Sequence, residues 1–343
     1  MMQTVTILHS ATDRGELDDL RGEGYQYVDG WASALEDLHK LNALDPNPTV
    51  YDESELDEYS RYIVFPWRRT IVRVPDDEIF HRLRTARNCY LITDEEQHRW
   101  SSATIAIAGL SVGASILSVC ALSGARRFRL ADPDTLGPSN LNRLVGSVCD
   151  LGVPKTTLAY RRVIEADPYA TVDVFPDGFN ADTAADFIGG GLVSKPAVIL
   201  EEMDDIARKV ELRRLAKAAG VAVIMVTDDG DDVIVDVERY DLDPDYPLFH
   251  GRAGELLDLT EEQLQDKDNR VELAGRIVGH DVDDRLKVAL AQVGVTIPSW
   301  PQLGTAASLA GVVGAVAARK LVCGDDLPSG RCHIRASELA LRR

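Results

Sequence analysis

Apolar positions along this chain follow two alternating periods, and the switching between them outlines a fold. Residues 104–108, Thr-Ile-Ala-Ile-Ala, form a continuous apolar run of strand length, and residues 114–123 repeat apolar side chains at helical spacing until Gly124. Residues 128–131 make a second run, closed by Asp132. The alternation continues with a helix over 155–166, strands over 171–175 and 197–200, a helix over 205–219 and a strand over 221–226. Residues 233–239 read as an antiparallel strand that extends the sheet. Strands interleaved with helices predict an α/β architecture with a mainly parallel sheet and helices on both faces. Gly109 and Gly113 bracket the turn after the first of these strands, where the backbone must pass close to something.

Residues 1–75 read as a separate small α/β module. It has a short strand at 5–8, an amphipathic helix at 31–41, a break at 45–49 (Asp-Pro-Asn-Pro-Thr) and strands at 61–65 and 70–74 around Pro66. Arg68, Arg69 and Arg73 form a basic cluster there. Its plain reading is a face ion-paired with the acids of 52–58; the functional one is contact with an anionic substrate. Residues 76–343 form the main domain. Within it, residues 241–300 read as a long, acidic, loop-rich crossover, and long insertions near strand ends often carry specificity. This is the expected acceptor-binding region.

The strand–turn–helix–strand–acid unit at 104–132 has the order of a nucleotide site. In an open parallel sheet the amides of the turn and the helix N-terminus face phosphates, and a strand-end acid accepts from ribose hydroxyls. The turn Gly109-Leu110-Ser111-Val112-Gly113 is one residue shorter than the G-x-G-x-x-G of dinucleotide sites and has Ser111 at its centre. That weakens a nicotinamide-dependent oxidoreductase without removing it as the alternative.

The motifs that follow discriminate. After Asp132 and Asp134 come Pro-Ser-Asn-Leu-Asn-Arg (138–143), Leu-Gly-Val-Pro-Lys (151–155) and Glu-Glu-Met-Asp-Asp (201–205). In order and spacing these resemble the ThiF/MoeB adenylyltransferases, which share their fold with the ubiquitin-activating enzymes. The resemblance covers roughly residues 84–343. It implies ATP and Mg²⁺ as cofactors and a Rossmann-like, ThiF-like domain. Gly109, Gly113, Asp132 and Asp134 fall in the nucleotide-binding positions, with Asp132 on ribose. Asn140, Arg143 and Lys155 would reach the phosphates and Asp204 would bind Mg²⁺, with Asp205 standing where the family has Asn. Arg87, in the segment 84–93, matches an arginine that reaches the partner subunit's ATP, which implies a homodimer. Residues 298–322 resemble the family's small-residue helix beneath the site, and 331–339 a closing strand.

Adenylation is attack by a carboxylate on the α-phosphorus of ATP with loss of pyrophosphate. Both reactants are anionic, so catalysis consists of positioning and charge neutralisation. Arg143 and Lys155 suit the triphosphate and Asp204 suits a hard cation. Taken singly, each residue has a plainer reading: Arg143 and Lys155 as solvated charges, Asp204 or Asp205 as a helix cap, and Arg87 paired with the acids at 94–96. Their common order at strand ends favours the functional one. A catalytically idle nucleotide-binding scaffold is the third reading, and the altered 201–205 element is its best support.

Composition narrows the class further. The five cysteines, Cys89, Cys120, Cys149, Cys323 and Cys332, form no C-x-x-C pair, so no structural zinc is expected. Residues 200–321 contain no cysteine. The acyl-adenylate is therefore expected to meet its nucleophile directly, without an enzyme thioester. The carboxylate itself, whether of a peptide, a protein or a small acid, is not fixed by these residues. A net charge of −19 disfavours nucleic acid as a partner. Residues 306–322 are apolar but rich in Ala and Gly, and read as a core helix rather than a membrane span. The cysteine usage and the absence of a signal pattern point to the cytoplasm. Seven histidines show no metal spacing, and His250 reads as structural.

Overall fold

The computed structural model describes residues 2–9, 12–46, 48, 56–190, 193–279, 281–297 and 299–339. The chain divides into two compact units, one of Met1–Gln97 with Ile164–Tyr169, the other of His98–Val163 with Ala170–Arg343.

The first unit contains β1 (Thr6–His9), α1 (Arg14–Gly22), β2 (Gln26–Asp29), α2 (Trp31–Leu44), β3 (Ser60–Phe65), β4 (Thr70–Pro75) and α3 (Asp77–Thr85). Its four strands lie in the order β1-β3-β4-β2, with only the β2–β4 pair parallel. Leu8, Leu17, Val64 and Ile71 form its core. The unit is larger than residues 1–75 because α3 and the 164–169 segment join it. The Tyr169 hydroxyl donates to the Pro75 carbonyl at 2.5 Å, and its ring meets Phe80 edge-on. The basic cluster is engaged inside this unit. Arg68 forms two hydrogen bonds to Glu165, at 2.7 and 2.6 Å, and Arg73 lies over the Trp31 ring. The acids at 52–55, expected to pair with it, lie outside the described residues.

Helix α4 (Asp94–Ser102) leads into the second unit, whose seven strands run in the order β11-β10-β9-β8-β5-β6-β7. In chain order its elements are β5 (Thr104–Ala108), α5 (Val112–Leu122), β6 (Arg127–Ala131), α6 (Lys155–Ala166), β7 (Thr171–Phe175), α7 (Ala184–Ile188), β8 (Val198–Glu201), α8 (Ile206–Ala219), β9 (Ala222–Asp229), β10 (Asp232–Glu238), α9 (Glu261–Gln265), α10 (Lys267–Val278), α11 (Asp284–Leu290), α12 (Gly304–Cys323) and β11 (Gly330–Ile334). Strands β7, β6, β5, β8 and β9 are parallel, and β10 and β11 add antiparallel pairs. The sheet is mainly parallel, as the sequence pattern predicts.

The two faces explain the composition of the strands. Ile105 and Ile107 of β5 pack with α5 and α12, whereas Ala106 and Ala108 face the side of α7 and α8. Both faces are covered, so the strand reads as a near-continuous apolar run. Helix α12 is long and apolar enough by composition to cross a membrane, yet here it packs on α5: added Cβ atoms at Gly311 and Gly314 would meet Ser115 and Ile116 at 3.0 and 2.9 Å. The crossover is more helical than expected. Leu264, Leu273 and Ile277 of α9 and α10 lie in one apolar cluster with Ile206 and Val210 of α8.

Candidate active site

The site in the second unit lies at the C-terminal ends of β5, β6, β8 and β9, joined by Lys155 at the start of α6 and Gln302 just before α12. The chain leaves β5 for β6 on one side and β8 lies on the other, so this is the switch point where an open sheet forms a crevice.

Gly109 holds φ +92°, and a Cβ there would stand 2.3 Å from the Glu202 carbonyl oxygen. The close approach anticipated at this turn is therefore to the protein's own backbone leaving β8. The Gly109 amide donates to Ala131 and the Glu202 amide to Ala108, which ties three strand ends together. At Gly113 a side chain would meet Ile107 at 2.8 Å. Both glycines are needed for packing before any ligand is considered.

Asp132 ends β6, only 4 % exposed. Its Oδ2 accepts from the Leu110 amide at 2.6 Å and its Oδ1 from the Asp134 amide at 2.8 Å. Burial drives its carboxyl above the ordinary range, against the opposing pull of Lys155 and these two amides. Lys155 opens α6, buried, with Nζ 2.7 Å from Asp134 Oδ2 and 3.5 Å from Asp132 Oδ1. Here the phosphate-binding lysine expected from the sequence is paired with the strand-end acids.

The 138–143 segment delivers Arg143. Asn140 accepts from the Gly137 amide at 2.8 Å, and its carbonyl takes the amides of Arg143 and Leu144. Its visible work is shaping the loop. Arg143 Nε donates to Ser111 Oγ at 3.0 Å, and NH1 donates to the Ser139 carbonyl and to Asn142 Oδ1, both at 3.0 Å. Its remaining nitrogen, NH2, has no hydrogen bond among the described residues. Ser111, the residue that broke the dinucleotide pattern, thus orients a cation.

The altered 201–205 element sorts itself by function. Glu201 is fully buried in ion pairs with Lys209 and Arg213. Glu202 accepts from the Val226 amide at 2.9 Å, and its carboxyl is pushed well up by burial. Asp205 caps α8 through the Arg208 amide, as one plain reading of this element held. Asp204 is exposed, with no hydrogen bond or ion pair among the described residues.

Two residues of the site carried no sequence signal. Asp228, near the end of β9, is 4 % exposed; its Oδ2 accepts from Gln302 at 3.0 Å, and its buried Oδ1 has no partner among the described residues. Burial lifts its carboxyl to about 6, against the pull of Gln302 and Arg143, while the charge of Asp204 lifts it further. The Gln302 carbonyl accepts from Asn142, the neighbour of Arg143, at 2.9 Å.

Arg87 belongs to the first unit, exposed on the turn Ala86–Asn88. His250 is held between Asp236 and Tyr246, both at 2.8 Å, a structural position. Among the described residues no three His, Cys, Asp or Glu side chains gather as a metal site.

Comparison with known proteins gives the likeness. Residues 84–230 match the model of the ThiF family. An uncharacterised protein of Mycobacterium tuberculosis is 35 % identical over 323 residues, 94 % of this chain and 43 % of its own length. The tRNA threonylcarbamoyladenosine dehydratase 2 of Saccharomyces cerevisiae is 25 % identical over 175 residues, covering 50 % of this chain and 35 % of the relative. The chain thus spans less than half the length of either relative. Among solved structures, PaaA superposes with a TM-score of 0.52 at 19 % identity, over 77 % of this chain and 78 % of its own. Escherichia coli MccB with ATP gives 0.52 at 16 % identity, over 78 % and 72 %. Both establish likeness of fold.

Proposed function

We propose that this chain is an ATP-dependent adenylating enzyme that activates a carboxylate and releases pyrophosphate. The observation that carries the reading is a convergence on one turn: Asp132 grips the Leu110 amide at 2.6 Å, Arg143 grips Ser111 at 3.0 Å, and Lys155 lies 3.5 Å from Asp132. A strand-end acid and two cations around a helix N-terminus suit a nucleoside triphosphate. The match to the ThiF family model over 84–230 supports the same reading, as does a fold shared with a protein solved with ATP.

In this reading Asp132 keeps lone pairs for ribose hydroxyls, since a carboxylate has about four acceptor positions. Arg143, fixed through Nε and NH1, offers NH2 to phosphate oxygens. Lys155 exchanges Asp134 for phosphate. No general base is needed, because the attacking carboxylate is already ionised near neutral pH. The carboxylates of Asp204 and Asp228 fit a hard cation such as Mg²⁺. When bound, Mg²⁺ offsets charge on phosphate oxygens.

Cys120 is fully buried and its thiol is driven far up by burial, and residues 200–321 carry no cysteine, so the adenylate passes directly to an external nucleophile. The proposed substrate, a carboxylate on a peptide or protein, is drawn by analogy from MccB, which has been solved in complex with N-formylated MccA. The enzyme works in the cytoplasm as a homodimer in which Arg87 completes the partner's site. ATP with Mg²⁺ at a hundred times its dissociation constant should add about 2.7 kcal/mol to stability, read as a melting shift. Stabilisation by NAD with indifference to ATP would instead select the oxidoreductase alternative.

A further inference from the structure

We infer that Asp228 is a second carboxylate ligand for the divalent cation, acting with Asp204 from the neighbouring strand end. The inference rests on the adenylation reading and adds a residue to it.

Strands β8 and β9 are adjacent and parallel, with Leu200 opposite Ile224. Asp204 and Asp228 each lie four residues beyond that pair, Asp204 in the loop that follows β8 and Asp228 still within β9. Their environments are complementary. Asp204 is exposed and unengaged, whereas Asp228 is almost wholly buried and fixed by Gln302 through one oxygen. Its other oxygen, Oδ1, is buried without a hydrogen bond among the described residues. A buried carboxylate oxygen with no donor is costly, and such groups are ordinarily paired or bound to a metal. Two carboxylates are also the usual protein share of a Mg²⁺ site whose other oxygens come from phosphates and water. The phosphates would come from the side of Arg143, which is linked to Asp228 through Asn142 and Gln302 at 3.0, 2.9 and 3.0 Å.

The neighbouring acids are engaged elsewhere. Asp229 accepts from the Asp283 amide at 2.6 Å and Asp232 from Ser337 at 2.7 Å. Glu202 accepts from Val226, and Asp205 caps its helix. Of these six acids, Asp205 and Asp232 accept through both oxygens and Asp229 and Glu202 through one; Asp204 alone is unengaged, and Asp228 alone has a buried oxygen without a hydrogen bond among the described residues.

The test uses Mn²⁺, followed by its electron paramagnetic resonance signal, binding to the full chain with a non-hydrolysable ATP analogue. Asp228→Asn keeps the shape of the side chain and removes its charge. It should weaken Mn²⁺ about 10- to 100-fold, as Asp204→Asn should, while binding of the analogue in EDTA stays within twofold. Asp205→Asn is the control. It removes an equal charge nearby and keeps a good helix cap, so Mn²⁺ affinity should stay within about twofold. Equal Mn²⁺ affinity in wild type and folded Asp228→Asn overturns the assignment, and so does an equal loss in Asp205→Asn, which would mean a general field effect. If the wild type binds neither analogue nor Mn²⁺, the adenylation reading fails and this one with it. Wild-type binding of the analogue without Mn²⁺ overturns the cation site alone.

Discussion

Two groups of charged side chains lie in the second unit, one threaded through α8 and the other around the C-terminal ends of β8 and β9, and they are settled in opposite ways. Arg213 of α8 is wholly buried, yet it reaches Glu201 at 2.5 Å and Glu238 at 2.6 Å and covers the Phe249 ring at 4.1 Å. Glu201 also takes Lys209, and Glu238 takes the Tyr240 hydroxyl and the Phe249 amide. Burial alone would raise the Glu201 carboxyl; Lys209 and Arg213 overcome it and hold the group below its ordinary range. At the strand ends, by contrast, Asp228 leaves an oxygen without a partner, Arg143 leaves a nitrogen, and Asp204 stands free among the described residues. Charges that serve the fold neutralise one another. Those that the proposed function assigns to a ligand stay incomplete, and the protein bears the cost.

The contrast can be broken from either side. The largest effect is expected from Arg213→Ala, which strands two buried glutamates and should cost about 3–5 kcal/mol of stability in denaturant unfolding. ATP–pyrophosphate exchange per folded molecule should persist; its loss would move the α8 network into the site.

Next comes Lys155→Ala, which should lower substrate-dependent exchange by about 2–4 kcal/mol in transition-state terms, roughly a hundredfold or more, with a nearly unchanged melting temperature. A large fall in stability with intact exchange would make Lys155 a fold residue.

Asp228→Asn carries the smallest effect and the most informative sign. The folded carboxyl is raised from 3.8 to about 6, so the folded chain holds the proton more tightly than the unfolded one. Its charge therefore destabilises the apo protein increasingly as pH rises from 4 to 6, fully so above that. Removing the charge should stabilise the protein at pH 7.5 by up to about 3 kcal/mol, at 1.36 kcal/mol per unit. The gain should fade as pH falls towards 4. A pH-independent change would show that Asp228 ionises as an ordinary surface acid.

The parts of the site legible in the sequence are those whose signature is local. A glycine turn after an apolar strand and an acid closing the next strand are set by neighbours within a few residues, so Gly109, Gly113 and Asp132 stand out. The order of strands was legible for the same reason, since β5 and β9 are buried on both faces and read as apolar runs. Asp228 was not. It lies in Thr-Asp-Asp-Gly-Asp-Asp, where nothing along the chain separates one acid from the next. Its role depends on the β8–β9 register and on Gln302, which is brought near by folding. Of the crossover helices, α9 and α11 span only five and seven residues, whereas α10 is as long as α6 and was missed although the spacing of Leu273 and Ile277 offered a signal. Strand β2 was missed because all four of its side chains are exposed and leave no apolar pattern.

On the adenylation reading, the clasp of Lys155 by Asp134 would set how a triphosphate enters. The ammonium is already stripped of most of its water, at 7 % side-chain exposure, whereas Asp134 remains 67 % exposed. An incoming phosphate therefore need not dehydrate the lysine; it replaces one oxyanion with another and returns Asp134 to solvent. Such a partner exchange holds the lysine ready without locking it. It also makes Asp134 a competitor for the same cation, so neutralising that acid should make capture of the nucleotide easier and its release slower.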